Sequence, residues 1–257
     1  MIKKIIKIAK DAGKILVKYF NENLEVNYKT DNTPVTKADS DSDKFLRQQL
    51  KKLFPKDQIL TEETPTKVDF SKRVWIVDPL DGTKAFVERL DGFCIIIGLC
   101  INGTPELGVV NFPLRDETYY AEKNKGAFVE KKGKISHLGV SEKQGKAFFT
   151  SSSDGHPNAQ KIISLFDIKT ITEGSFGARV ISVASGNADF YIELTGRAHK
   201  WDTCGTQIIL EEAGGKMTDL TGNKLDYKTP NARWENYTII SSDKQHKQII
   251  EKIKKLK

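Results

Sequence analysis

The chain has 257 residues, 38% of them hydrophobic and 29% charged, with a formal net charge of +7 at pH 7. That length buries a substantial core, as one large or two small domains, and that balance excludes a disordered chain. No run approaches the roughly 20 apolar residues of a membrane span, and Lys4, Lys7, Lys10, Asp11 and Lys14 interrupt the N-terminal stretch before a signal-peptide core forms, so a cytoplasmic protein is expected.

The positive charge raises one reading of a different class, a basic, non-enzymatic RNA- or lipid-binding protein. Apart from the terminal "KIKKLK" the excess is dispersed lysine with no aromatic–basic module, and solvated helix faces account for it more simply. No nucleic-acid partner and no stable membrane insertion are expected, while a small polyanionic substrate suits the field. Cys94, Cys100 and Cys204 contain no C-x-x-C pair, which points away from a disulfide framework or a zinc site; Cys94 and Cys100 read as small core hydrophobes. Monomer and homodimer both stay open.

In chain order, Ile2, Ile5, Ile6, Ala9, Ala12, Leu16 and Phe20 recur near helical spacing with lysines between them, which predicts an amphipathic helix packed on its own core. A second helix is predicted from about Asp39 to Phe54, opening on acidic and serine residues and stopping before Pro55. "QILTEE" reads as a short strand. "RVWIVD", "FCIIIGLCING", "TPELGVVNFP", "ETYYAEKNKGAFVE" and "KISHLGVS" follow as strands of a meandering, largely antiparallel sheet. From about Lys146, helices ("NAQKIISLF", "ARVISVASG", "TCGTQIILEEAGG") alternate with the strands "ADFYIE" and "YTIISS". Blocks of this kind mark an α+β layered fold. Two subdomains are expected, residues 1–140 and residues 141–257, without a low-complexity linker.

In "WIVDPLDGTKAF" an apolar strand delivers Asp78 to its C-terminal end, Pro79 restricts the backbone, and Asp81 precedes Gly82, which permits an unusual dihedral or a close ligand approach. Free N–H groups of a helix starting at "GTKAF" would suit an anion. If Glu62 joins Asp78 and Asp81, three carboxylates without a basic neighbour repel one another, and a hard divalent cation relieves that repulsion, magnesium above all when phosphate oxygens complete the octahedron. As isolated residues they are equally ordinary turn formers. Asp202, before the apolar-periodic segment that ends at Gly214 and Gly215, is by itself either a helix cap or a further ligand.

Together, "PVTKAD", "TEE", "DPLDGTKAF" and "WDTCGTQIILEEAGG" resemble the inositol monophosphatase superfamily of magnesium-dependent, lithium-sensitive phosphatases. That family's pattern is D, then E-E, then D-P-x-D-G-T or S, then W-D ending in G-G. All four blocks match in order between Pro34 and Gly215. The resemblance implies a layered α-β-α-β-α sandwich. It implies that Glu62, Asp78, Asp81, Asp202 and the Leu80 carbonyl hold two or three magnesium ions, with Glu63 behind them or on a weaker ion. Asp39 and Thr83 would position and deprotonate the attacking water, and backbone N–H groups near Gly82 and Thr83 would hold the phosphate.

Within the superfamily, Lys84 after D-G-T, the "KWDTC" stretch and "GGKMTDLTGN" are similar to the 3′(2′),5′-bisphosphate nucleotidases, which implies adenosine 3′,5′-bisphosphate as substrate. Ser152, Gly174, Ser175 and Arg179 then fall where that branch meets the sugar, base or second phosphate, with Arg179 in place of a lysine. Ala85 in place of the usual glutamate departs from that branch. Histidinol-phosphatase-like members share Lys84, and Glu193 resembles the glutamate that inositol phosphatases direct at their sugar alcohol. Inositol 1-phosphate and histidinol phosphate therefore stand as alternative substrates.

Overall fold

A computed structural model of the chain describes residues 1–22, 26–28, 34–141, 145–151, 155–171 and 174–256. Helix α1 (Ile2–Phe20) buries Ile5, Ile8, Ala9, Ala12 and Leu16 and turns its lysines outward. The strands β1 (Val26–Tyr28) and β2 (Pro34–Thr36) form a small antiparallel pair, followed by helix α2 (Lys37–Leu53). Helix α2 begins two residues earlier than its acidic start predicts, because Thr36 caps it. Both helices lie on one face of a seven-stranded sheet, where α1 and the α2 residues Leu46 and Leu50 meet Trp75, Val77, Ile95, Ile97, Leu107 and Val109. The apolar stripe of α1 is thus consumed by the protein's own sheet.

That sheet takes its strands in sequence order: β3 (Gln58–Thr61), β4 (Arg73–Asp81), β5 (Cys94–Ile101), β6 (Thr104–Phe112), β7 (Glu117–Glu122), β8 (Ala127–Lys131) and β9 (Lys134–His137). Only the β3–β4 pair is parallel. The one-turn helix α3 (Thr83–Val87) links β4 to β5. The second half supplies β10 (Lys146–Ser151), α4 (Ala159–Ser164), β11 (Lys169–Ile171), α5 (Phe176–Ala184), β12 (Phe190–Leu194), α6 (Lys200–Glu212), β13 (Gly215–Asp219), β14 (Thr238–Ser242) and α7 (Asp243–Lys254). Its five-stranded sheet has the order β11-β10-β12-β14-β13.

Helices α5 and α6 lie between the sheets: Val180, Val183, Cys204, Ile209 and Leu210 pack with Ile76, Ile96 and Val110 on one side and Tyr191, Met217 and Ile240 on the other. Helices α4 and α7 cover the outer face of the smaller sheet, Ile162 and Ile249 packing with Phe149 of β10. The architecture is therefore the α-β-α-β-α sandwich that the resemblance implies. The short strands β10, β11 and β13 and helix α7 were not predicted; their apolar residues are too few to show a period outside their sheet.

Two glycines set the position of α6. Gly98 and Gly108 are directly paired across β5 and β6, and a Cβ on Gly98 would lie 2.6 Å from the Cys204 sulfur, one on Gly108 2.1 Å from the Gly205 carbonyl oxygen. The paired gap lets the helix backbone rest directly on the sheet. That close approach brings the start of α6 to the end of β4.

Candidate active site

The sequence predicts that β4 ends at Asp78, whereas the strand continues to Asp81 through an irregularity. Asp78 pairs with Ile96 and Asp81 with Cys94, so three steps along β4 are matched by two along β5. This is a bulge of one extra residue. In a regular strand, side chains three apart point to opposite faces; the extra residue restores the alternation in Asp81's favour. Asp78 and Asp81 consequently share the face that carries Ile76 and Cys94, while Leu80 turns into the core under α1 and α2. The Leu80 N–H donates to Oδ1 of Asp78 at 2.9 Å and locks the turn.

Asp202 comes to the same place from the first turn of α6, where its Oδ2 accepts the His199 N–H at 2.5 Å. It is a helix-capping residue and a member of the cluster at once. One carboxylate oxygen from each of Asp78, Asp81 and Asp202 lies within 4.8 Å of the other two. Burial pushes the Asp78 and Asp202 carboxyls well above the ordinary range, and their mutual repulsion and the nearby Glu62 push the same way. Glu62 follows β3, its N–H donating to the Val77 carbonyl at 3.2 Å. Burial raises Asp81 as well, against hydrogen bonds that favour its ionised form. A largely buried set of oxygen-only donors that repel one another fits a hard divalent cation.

A stability consequence follows. Because these carboxyls hold protons more tightly folded than unfolded, their contribution is complete below the unfolded value of 3.8 and is lost as pH rises through the folded values. His246, which burial holds at about 4 instead of 6.5, has the opposite sign, but it is common to wild type and variants. In chelator, Asp202→Asn is expected to lose less melting temperature than wild type as pH is raised from 3.8 towards neutrality, and a divalent cation should raise the wild type most at the higher pH. Calorimetric melting curves check this; parallel wild-type and variant curves would contradict it.

Asp39, in the first turn of α2, stands opposite α3. Its Oδ2 accepts the Thr36 N–H and hydroxyl, both at 2.7 Å, and its Oδ1 lies 3.2 Å from the Thr83 hydroxyl. Burial, with the Glu63 charge adding to it, raises the Asp39 carboxyl to about 6 against those bonds. The Thr83 hydroxyl also lies 3.3 Å from the Leu80 carbonyl. One hydroxyl proton cannot serve both acceptors fully, so the other is left for a water's proton. Gly82 adopts φ +91° immediately before α3, and a Cβ there would lie 2.7 Å from the Ser175 Cβ. With five residues α3 is too short for a strong dipole, so only its individual N–H groups are available to an anion.

Beside Asp202 opens a cleft of about 560 Å³ lined by Lys84, Thr150, Arg179, Tyr191, Glu193 and Arg197, among others. The Arg179 guanidinium stacks on Tyr191, 5.6 Å from the ring centre, and the Tyr191 hydroxyl lies 3.0 Å from that of Thr150. Glu193 is fixed by the Thr195 N–H at 2.7 Å, and burial raises its carboxyl. Lys84 and Arg179 thus stand at the cleft. Ser175 is buried behind Asp81, capping α5 through the Ala178 N–H at 3.2 Å, and Gly174 precedes it at φ +84°. Neither Ser175 nor Gly174 is on the cleft wall, and Ser152 lies outside the described residues.

Sequence reasoning missed Arg197, Thr150 and Tyr191, which carry no motif. It also missed Lys200, fully buried beside Trp201, whose ammonium donates to the Tyr227 carbonyl at 2.8 Å and to that of Thr229 and sits 3.8 Å from the Phe70 ring centre. Burial lowers it to about 8. In the sequence it stands in the "KWDTC" stretch, which marks the family branch but does not show a buried cation.

The sequence profile of the inositol monophosphatase family matches residues 1–257. The 3′(2′),5′-bisphosphate nucleotidase CysQ of Aggregatibacter actinomycetemcomitans is 33% identical over 235 residues, 88% of this chain and 87% of that protein. The histidinol-phosphatase of Chlorobaculum parvum is 31% identical over 227 residues, 85% of each chain. Among solved structures, the IMPase of Thermotoga maritima superposes with a TM-score of 0.84 at 28% identity, covering 99% of this chain and 96% of that one. No helix among the described residues is long and apolar enough to cross a membrane. With its carboxylate cluster assembled where two sheets face α6, and with the whole chain matched, this protein belongs to the inositol monophosphatase family and is a phosphatase.

Proposed function

We propose that this phosphatase removes the 3′-phosphate of adenosine 3′,5′-bisphosphate, yielding AMP and phosphate, with two or three magnesium ions held by Glu62, Asp78, Asp81, Asp202 and the Leu80 carbonyl. The observation that carries the substrate is the cleft beside Asp202, which presents Lys84, Arg179 and Arg197 to a second anionic group and the Tyr191 ring among them. Resemblance to the bisphosphate nucleotidases supports it.

Bound magnesium supplies positive charge that offsets the phosphate oxygens and acidifies the attacking water. The chain's own residues do the rest. Asp39 and Thr83 orient that water and Asp39 accepts its proton, Oδ1 and the Thr83 hydroxyl being 3.2 Å apart. The N–H groups at Gly82 and Thr83 steady the phosphate, and Glu63 shapes the field at Asp39. The water oxygen bonds to phosphorus as the bond to the 3′-oxygen breaks; that oxygen keeps the electron pair and takes up a proton. Positioning and charge neutralisation carry such a transfer.

Glu193 favours a second reading, because a carboxylate on the same cleft suits hydroxyl groups of a polyol or the amine of histidinol phosphate. A panel of the bisphosphate nucleotide, inositol 1-phosphate and histidinol phosphate, with and without magnesium, separates the two. Arg197→Ala is expected to raise KM for the nucleotide about tenfold, the worth of one charge-assisted bond, and to leave that for inositol 1-phosphate nearly unchanged. Faster wild-type turnover of either competitor would sink the nucleotide assignment.

A further inference from the structure

Asp78, Asp81 and Asp202 are held in place by different means. Asp78 accepts an N–H of its own turn, from Leu80, and Asp202 one of its own helix start, from His199. The partners of Asp81 come from other elements: the Gly177 N–H in the first turn of α5, at 2.6 Å, the Cys94 sulfur on β5, at 3.4 Å, and the Ser175 hydroxyl at the cap of α5. The first two reach Oδ2. An ionised carboxylate only accepts, so the thiol is the donor. The Cys94 sulfur is also 3.7 Å from the Ser175 hydroxyl, and the residue is fully buried.

Space is as tight as the bonding. A Cβ on Gly177 would fall 2.8 Å from both the Asp81 Oδ2 and the Cys94 sulfur. Carboxylate, thiol and helix start therefore fill one buried volume with little slack. Cys94, which the sequence presents as a small core hydrophobe, has a polar task within that core.

We propose that Cys94 is a positioning residue for the metal site: with the Gly177 N–H, its thiol fixes the rotation of the Asp81 carboxylate, so that Oδ2 is spent inside the protein and Oδ1 is presented towards Asp78 and Asp202. The inference rests on the metal reading above. Groups behind a ligand that fix its orientation commonly affect metal affinity 10–100-fold; a thiol is a weak donor, and about five- to tenfold is expected here.

The test uses the intact chain and Mn²⁺ as the probe, titrated calorimetrically into wild type, Cys94→Ala and Cys94→Ser. The two replacements leave nearly equal space, so any packing loss is common to both and their ratio reads the donor alone. Cys94→Ala should bind Mn²⁺ about five- to tenfold more weakly, and Cys94→Ser, whose hydroxyl closes the gap with a small shift, should recover most of that loss. An alanine variant that binds as tightly as wild type, or a serine variant as impaired as alanine, overturns the proposal while leaving the metal reading standing. Wild-type protein that takes up no Mn²⁺ overturns both. A measurement that needs no variant is the infrared S–H stretch of the wild type, which should shift on adding Mg²⁺ as charge is drawn from Asp81; an unchanged band counts against the proposal.

Discussion

Replacing Asp78 by asparagine is expected to lower magnesium-dependent phosphate release by about 10³-fold, the scale of losing one preorganised electrostatic contact at a reacting phosphate. The fold should survive. The asparagine side-chain oxygen can still accept the Leu80 N–H that Asp78 accepts at 2.9 Å, so the bulge keeps its lock. In chelator the variant should melt higher than wild type, because burial and the Glu62, Asp81 and Asp202 charges all oppose ionisation of Asp78. Each kcal/mol so relieved is worth about 2–4 °C in a chain of this size. Gain of stability with loss of activity is the pattern of a site kept under electrostatic strain for its ligand. Phosphate release and calorimetry on one preparation measure both; activity within about threefold of wild type would remove Asp78 from the mechanism.

Asp39→Asn should act on turnover alone. A general base contributes about 10²–10⁴-fold, so kcat is expected to fall within that range while KM and Mn²⁺ affinity hold, since Asp39 bonds to Thr36 and Thr83 and not to the Asp78, Asp81 and Asp202 cluster. The pH dependence gives a second readout. Burial raises the Asp39 carboxyl to about 6, so below that value the base is protonated and kcat/KM should decline about tenfold per pH unit, with a plateau above it. Asparagine carries no proton to lose, and the acid limb should vanish in the variant. An unchanged limb would assign it to another group.

The fold was legible wherever a segment's own pattern sufficed. Helix α1 shows its stripe from Ile5 to Leu16, and the strands β4 to β6 are long apolar runs separated by turn residues. The strand β11 has only three residues, two of them exposed, and is held by its neighbour β10. No period exists in so short a segment, and its pairing partner is remote in sequence. Helix α7, which ends in "EKIK", reads as a run of charge because its apolar residues are spaced among lysines and only His246 and Ile249 are buried.

The site divides in the same way. Acidic residues at fixed spacing, Gly82 after Asp81 and the W-D block are local facts of the chain, and the family resemblance they carry together is what named Asp39, Glu62, Asp78, Asp81 and Asp202 as a set. Burial cannot be read from such spacing. Ser175 has a motif position that suggests substrate contact, yet its hydroxyl faces the Cys94 sulfur at 3.7 Å. Arg197 has no motif position and reaches the cleft.

By itself the sequence determined the family, the residue types at the reacting centre and the order of the longer elements, because backbone propensity and motif spacing are properties of neighbouring residues. The tertiary structure alone decided which faces those residues share. A single extra residue in β4 turns Asp81 to the side of Asp78, a paired glycine gap in β5 and β6 admits α6 and with it Asp202, and the start of α5 closes on Asp81 from behind. Each of these depends on contacts between segments far apart in the chain, where hydrogen-bond register and van der Waals distance, and not local preference, fix the geometry.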